Sequence, residues 1–381
     1  MFYLILGLPW LVVVTRFLAV LPWLLSVKIL IASLLLVASQ HLVINRISSG
    51  SVFAPEYPRP LIILFNLLFG TTVLLAIFQI ALDVFSLVVM LGVGRFPTIP
   101  PEVRYAIGTA ALAISASGVI QAIRVPPVKN VEIDISGLPT EFDGYRLLQL
   151  TDLHLSRLFP AGWARAVVVR SNALEVDLIA ITGDFIDGGL ENRREDVAPL
   201  AELRARDGVY AIPGNHEYFF DYDAWMKHDA GLGIGMLTNA HAVIERGGAQ
   251  IVIAGVTDHA AVRSKFPAPD IAKALKGAPD GAPVILLDHQ PRMARQRAKS
   301  GIALQLSGHT HGGMVIGLDR LVARANDGFV SGWYDVDGMR LYVNNGTALW
   351  PGFAIRLGRP SELTVFTLRV KHEAVRNFRR P

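Results

Sequence analysis

The stretch Gly308-His309-Thr310-His311-Gly312-Gly313 decides how this chain is read. An apolar run over 302–306 leads into it. A buried strand ending in a tight turn aims two imidazoles at one point beyond the strand end. Neutral imidazole is the commonest nitrogen ligand for first-row metals. Four upstream runs have the same shape. Residues 146–150 end in Thr151-Asp152-Leu153-His154, and 177–182 in Gly183-Asp184-Phe185-Ile186-Asp187. Residues 208–212 end in Pro213-Gly214-Asn215-His216-Glu217, and 283–287 in Asp288-His289-Gln290-Pro291.

The segments around these runs complete an α/β pattern. Val131-Glu132-Ile133-Asp134-Ile135 alternates as an edge strand does. Further strands are expected over 242–245, 250–254, 341–343 and 363–368, and helices over 163–173, 196–206, 222–230 and 270–276. Strands alternating with helices predict a sheet sandwiched between helices. In such folds a ligand site gathers beyond the carboxyl ends of the strands. The five clusters should therefore converge.

The composition requires a second part. The chain has 381 residues, 52% of them hydrophobic, and a mean hydropathy of +0.41, too apolar for an ordinary soluble enzyme. Apolar blocks run over 2–20, 24–44, 61–94 and 105–123, separated by proline-bearing loops. A span needs about 20 apolar residues, so four transmembrane helices are expected in a membrane domain of residues 1–127. Pro126 and Pro127 form the junction to a catalytic domain of residues 128–381. The fold class is thus a multi-pass helical membrane segment followed by an α/β domain. Seven basic and three acidic residues lie in 1–127, leaving 29 of each sign in the remainder. The net charge of +4 therefore flanks membrane spans and gives no argument for nucleic-acid binding. Basic residues are spread evenly over the connections, so the side of the catalytic domain stays open. Asp83, with Gln79 one turn before it, reads as a polar face within the bundle or the end of a span. There is no cysteine, which excludes thiolate metal sites.

The candidate ligands are Asp152, His154, Asp184, Asn215, His289, His309 and His311. Two carboxylates, a carboxamide and four imidazoles suit Mn²⁺, Fe²⁺ or Zn²⁺ rather than Ca²⁺. Seven are too many for one ion and about right for two sharing a carboxylate. Two metals about 3.5–4 Å apart can hold a hydroxide and clamp a phosphoryl group in an in-line displacement. His216 is the candidate acid for the leaving oxygen.

The ordered motifs Asp152-x-His154, Gly183-Asp184-x-x-Asp187, Gly214-Asn215-His216-Glu217, His289 and Gly308-His309-x-His311 resemble those of the calcineurin-like metallophosphoesterases. The Gly-His-Thr-His-Gly-Gly form, His289-Gln290-Pro291 and Tyr342-Val343-Asn344-Asn345-Gly346 resemble most the branch that joins such a domain to N-terminal membrane helices. The resemblance implies a β-sandwich flanked by helices. It also implies one metal on Asp152, His154, Asp184 and His311, and a second on Asp184, Asn215, His289 and His309. His216 would be the general acid, and Asp187 and Glu217 would orient a neighbouring His or Asn.

Weaker candidates remain. Arg356 lies where this branch tends to carry an arginine and could contact substrate phosphate; a surface ion pair is the alternative. Phe159, Trp163 and Trp350 read as packing, or else as contacts to an apolar substrate. His41, His228, His241, His259 and His372 match no motif and read as structural or surface residues. The basic tail (Arg369, Lys371, Arg376, Arg379, Arg380) reads as a disordered terminus, with anionic lipid as the other reading. The expectation is a membrane-anchored phosphoesterase cleaving a phosphodiester or pyrophosphate bond, with two divalent ions. Its substrate is expected to be lipid-linked or part of the cell envelope, and its location the bacterial plasma membrane. A catalytically silent scaffold of the same fold is the alternative, and a transporter gated by such a domain a third reading.

Overall fold

Apolar blocks without internal breakers fold as helices in the N-terminal part, and the breakers set their limits. A computed structural model describes residues 2–371, so Arg376, Arg379, Arg380 and His372 lie outside the described residues. The chain divides into two compact units. One comprises the residues up to Arg124 with Ser156–Leu158 and Trp350–Leu357; the other comprises Val125–Leu155, Phe159–Leu349 and the residues from Gly358 on.

In the first unit, α1 (Phe2–Val12) continues into a π-helical turn (Val13–Leu18). Then come α2 (Leu25–Ser39), α3 (His41–Ser49), α4 (Arg59–Val93) and α5 (Pro101–Ile123). Prolines in the first turns of α4 and α5 forfeit only an N–H that has no helical partner there. Among the described residues, only α4 and α5 are individually long and apolar enough to cross a membrane. The second block bends by 54° between α2 and α3 and would count as one further span only as a bent pair. In the first block, α1 and the π-helical turn end together at Leu18, and no long span is found there among the described residues. Four spans were expected, and two, or three with the bent pair, are found among the described residues. The break in block two has a side-chain cap: the His41 ring nitrogens face the carbonyls of Ala38 at 2.8 Å and Gly352 at 2.7 Å. Asp83 pairs with Arg16 at 3.1 Å and accepts from Gln79 at 2.8 Å, while Arg104 donates to Gln79 at 2.9 Å. That is the polar face expected of it.

The segment Trp350–Leu357 is held within this helical unit by specific bonds. Asn66 donates to the Pro351 carbonyl at 2.9 Å and accepts from Ala354 N–H at 2.6 Å. The Arg356 N–H donates to the Gly118 carbonyl at 3.0 Å. Gly70 makes room for the tip of the Ile355 side chain, which a β-carbon there would force to shift.

The second unit holds two six-stranded mixed sheets. The first contains β1 (Val128–Ile135), β2 (Arg146–Leu150), β3 (Leu178–Thr182), β4 (Val209–Ile212), β5 (Gly235–Met236) and β12 (Leu363–Val370), in the order β1-β12-β2-β3-β4-β5. The second contains β6 (Ala240–Arg246), β7 (Ala249–Gly255), β8 (Val284–Leu287), β9 (Ile302–Ser307), β10 (Gly332–Val336) and β11 (Met339–Val343), in the order β10-β11-β9-β8-β7-β6. Strands β2, β3 and β4 are mutually parallel, as are β7, β8, β9 and β11. Their carboxyl ends therefore fall on one edge of each sheet.

Alternation sorts the side chains. Leu147, Leu178, Ala180, Ile253, Ile285, Leu287, Leu304 and Leu306 form the core between the sheets. Val252, Ala254, Val284 and Leu286 face the other way, onto Ala274 of α10 (Ile271–Ala274) and Ala294 of α11 (Ala294–Arg297). Helices α6 (Ala161–Asn172), α7 (Leu190–Val197), α8 (Tyr222–Gly231), α9 (Ala260–Arg263) and α12 (Asp319–Ala325) complete the unit. This is the β-sandwich flanked by helices implied by the motifs.

One helix differs from expectation. In place of a helix over 196–206, α7 ends at Val197 and a 3₁₀ turn, Ala198–Glu202, follows. Pro199 lacks the N–H that a continuing helix needs and sits at the start of that turn. The strands β5 and β10 were not anticipated, since each begins at a glycine and offers little apolar alternation.

Helix α8 buries an acid. Asp229 is fully buried and neither carboxyl oxygen has a hydrogen-bond partner among the described residues. Burial, then the nearby charge of Glu217, pushes its carboxyl well above the usual range. The unfolded chain ionises it near pH 3.9. Its stabilising share is thus complete below that pH and is lost as pH rises toward the raised folded value. Asp229→Asn is expected to raise the melting temperature by a few degrees at pH 8 and by less at pH 5, as measured by thermal unfolding of the purified chain. Equal gains at both pH values would exclude ionisation of Asp229 as the cause.

Candidate metal centre

The five strand-end clusters converge. Asp152 and His154 follow β2, Asp184 follows β3, Asn215 and His216 follow β4, His289 follows β8, and His309 and His311 follow β9. Three groups bring donor atoms within 4.8 Å of one another: Asp152, His154 and His311; His154, Asp184 and His216; and Asp184, His289 and His309. Asp184 belongs to two of the three. Asn215 Oδ1 lies 3.2 Å from His289 Nε2.

The backbone is bent to present these donors. Asp152 (φ 52°), His154 (43°), Asp184 (55°), His309 (68°) and His311 (51°) all occupy the left-handed region. Non-glycine residues adopt it rarely, at a cost of about 1–3 kcal/mol each. Hydrogen bonds over-determine the geometry. Asp152 N–H donates to the Gly183 carbonyl at 2.9 Å, and His154 N–H to the Asp184 carbonyl at 3.0 Å. His309 N–H donates to the Asp152 carboxylate at 3.1 Å. Gly214 lets two loops touch, because a β-carbon there would collide with Asp184 Oδ1.

Asp187 and Glu217 fix the loops from beneath, and both are fully buried. One Asp187 oxygen lies 3.1 Å from His154 Nδ1 and the other 2.5 Å from His216 Nδ1. Carboxylate oxygens accept, so both rings carry Nδ1–H and turn Nε2 towards the centre. Asp187 therefore contacts the Nδ1 of both rings at once. Glu217 works through the backbone instead, accepting N–H bonds from Gly214 at 2.6 Å, Phe185 at 2.7 Å and Asp184 at 3.1 Å.

The donor arrangement calls for cations. His289 Nδ1 donates to the Thr182 carbonyl at 2.7 Å. Its Nε2 faces Asp184 Oδ2 and Asn215 Oδ1, each at 3.2 Å. A neutral ring would turn a lone pair onto two oxygen acceptors, so positive charge belongs there. In the metal-free chain a proton meets the need: burial opposes it, but Asp184 and Asp152 push the His289 imidazole well above its usual value. A metal ion meets it equally. His154 Nε2 and His311 Nε2 lie 3.3 Å apart, close to the spacing of two donors each about 2.1 Å from one ion. Burial, then the charge of His289, holds His309 down to about 3, which leaves it a neutral ligand. Burial opposes protonation of His216, but Asp184 and Asp187 outweigh it and raise the ring to about 9. Burial and the Asp184 charge raise Glu217 to about 7.

The same geometry points to a known class of proteins. Residues 145–313 match the model of the calcineurin-like phosphoesterases. A transmembrane protein with metallophosphoesterase domain from Danio rerio is 35% identical over 270 residues, 68% of this chain and 61% of the relative. A metallophosphoesterase of Helicobacter pylori J99 is 33% identical over 259 residues, 68% of each chain. The chain belongs to the calcineurin-like metallophosphoesterase family. Another member, from Bacillus subtilis, is 31% identical over 245 residues, 62% of this chain and 83% of that relative. Such phosphoesterases use dinuclear divalent metal centres, and the Asp and His groups here fit one.

Arg356 belongs to the helical unit, where its side chain is fully buried; that burial excludes the surface ion pair. Phe159 and Trp163 are buried against each other with ring centroids 4.8 Å apart, and Trp350 packs on Phe53 in the helical unit at 5.6 Å. These aromatics act as packing residues. The sequence reading missed a neighbouring cavity of about 300 Å³ beside Asn215 and His309, lined also by Phe219, His259, Arg263, Gln290 and Arg292. Its outer residues come from α9 and the turn before α11, and no ligand-type spacing marks them.

Proposed function

We propose that this chain is a membrane-associated, metal-dependent phosphoesterase that hydrolyses a phosphodiester or pyrophosphate bond. The observation that carries the reading is the convergence of seven metal-type residues, Asp184 among them, five of which occupy the seldom-used left-handed backbone region. Asp152, His154, Asp184 and His311 would hold one divalent ion; Asp184, Asn215, His289 and His309 would hold the other. When bound, the two ions supply Lewis-acid charge to the phosphoryl oxygens and lower the pKa of water.

The chain's own groups do the rest. Asp184 is shared between the two sets and fixes their spacing. Asp187 locks the His154 and His216 rings with Nε2 inward. His216, whose ring Asp184 and Asp187 hold towards the protonated form, would give its proton to the leaving oxygen, which prevents the build-up of an unstable alkoxide. Asp187 then stabilises the ring in each protonation state through Nδ1–H.

A lipid-linked or cell-envelope substrate is our reading of the finer specificity. It rests on the joining of a phosphoesterase unit to helices apolar enough to cross a bilayer. Bacterial plasma membrane is the location we propose with it. A silent scaffold is disfavoured, because the buried carboxylates and imidazoles would then be kept at a desolvation cost with no ions to offset it. The test is hydrolysis of bis(p-nitrophenyl) phosphate by the full chain in detergent. Chelation is expected to lower the rate at least about 100-fold, on the scale of metal-site losses, and Mn²⁺ to restore it. A chelator-resistant rate would contradict a metal-dependent mechanism.

A further inference from the structure

The cavity beside Asn215 and His309 has a cationic far wall. Arg292 lines it, and its Nε is buried without a hydrogen-bond partner among the described residues. Arg263 and His259 line it as well, and His259 Nε2 is likewise buried and unpartnered. Neither arginine pairs with a carboxylate among the described residues. The acids nearest in sequence are already engaged. Asp258 accepts from Gln290 at 2.9 Å and from Ala260 N–H at 2.7 Å, and Asp288 accepts from Arg297 at 2.9 Å. Burial, then the charges of Arg292 and Arg297, pushes His259 down to about 4, so the ring stays neutral in a positive surrounding.

Arg292, half-buried with its Nε out of contact with water, and the more exposed Arg263 beside it place unpaired positive charge next to the phosphoester site, a setting that favours an anion. The scissile phosphate belongs at the metal donors. The cavity extends from Asn215 and His309 towards α9, and its volume of about 300 Å³ lies at the small end of ligand pockets. We infer that Arg292, with Arg263 and His259, forms a subsite for a second anionic group adjacent to the scissile phosphate, so that the site selects pyrophosphate-linked substrates over simple phosphodiesters. The inference rests on the proposed phosphoesterase reading and names the substrate class within it. Arg292 is the anchor because its guanidinium is planar, permanently charged and able to bind a phosphate through two bonds.

A binding measurement separates this from the activity itself. The probes are AMP and the non-hydrolysable α,β-methylene-ADP, titrated calorimetrically into the Mn²⁺-loaded full chain. The wild type should bind the two-phosphorus ligand about 10- to 100-fold more tightly than AMP, the range of a charged hydrogen bond. Arg292→Gln should remove most of that gap, and Arg292→Lys should keep part of it, with Mn²⁺ content unchanged in both. No gap in the wild type, or a gap that survives Arg292→Gln, would overturn the inference. A loss of Mn²⁺ in both variants would also overturn it, by making Arg292 a support of the metal centre. Failure of the phosphoesterase reading shows separately, as the absence of metal-dependent hydrolysis.

Discussion

Asp184→Asn should reduce kcat for bis(p-nitrophenyl) phosphate on the order of 10³-fold, at the upper end for loss of one group that organises transition-state charge. The argument is positional. Asp184 shares two of the three donor groups. Its Oδ2 lies 3.2 Å from His289 Nε2 and 3.8 Å from His154 Nε2, and its Oδ1 accepts His216 N–H at 2.8 Å. Asparagine keeps the shape and one acceptor oxygen, so the Gly214 loop stays seated. It removes the negative charge that two cations would share. His289 tests the same point from the other side: Asp184 is the largest force raising its imidazole, so the variant's His289 should titrate lower, readable from its ring proton resonances. An Asp184→Asn chain with wild-type kcat would rule out a shared carboxylate.

The second large effect concerns His216. His216→Asn should lower kcat about 10²- to 10⁴-fold on substrates with a poor, alkoxide-like leaving group. The loss should shrink for p-nitrophenoxide, which departs without a proton. Metal content should be retained. The wild-type rate should also fall with rising pH as His216 loses its proton. Asp184 and Asp187 hold the metal-free ring near 9, and cations bound alongside lower it, so this limb lies at or below about pH 9. The variant should lack the limb. An equal loss for good and poor leaving groups would assign His216 to metal or phosphate binding instead.

Much of this was legible in the sequence because chemistry restricts the residue types. Asp152, His154, Asp184, Asn215, His289, His309 and His311 stand at strand ends, where apolar runs stop abruptly, and each is of ligand type. The strands were legible for the same reason, since β2, β3, β8 and β9 are nearly continuous apolar runs buried on both faces.

What stayed hidden depends on partners distant in the chain. Glu217 looked like a residue that orients a side chain, but it binds three backbone N–H groups, and no spacing encodes that. That the segment Trp350–Leu357, with Arg356 buried in it, belongs to the helical unit was not legible either. The signals for that were Asn66, Gly70 and Gly118, polar and small residues inside apolar helices. Each is unremarkable alone. Arg292 follows the His289-Gln290-Pro291 turn directly, and only the fold brings α9 opposite it. The first apolar block met the composition expected of a span, but its helix ends at Leu18, where turns follow.

The most direct test of a dinuclear centre is the metal stoichiometry of the full chain, measured by elemental analysis after saturation with Mn²⁺ and removal of free ion. Two ions per wild-type chain, falling to one or none in Asp184→Asn, is the predicted result. A wild-type chain that retains no ion, or only one that is indifferent to Asp184, would contradict the account.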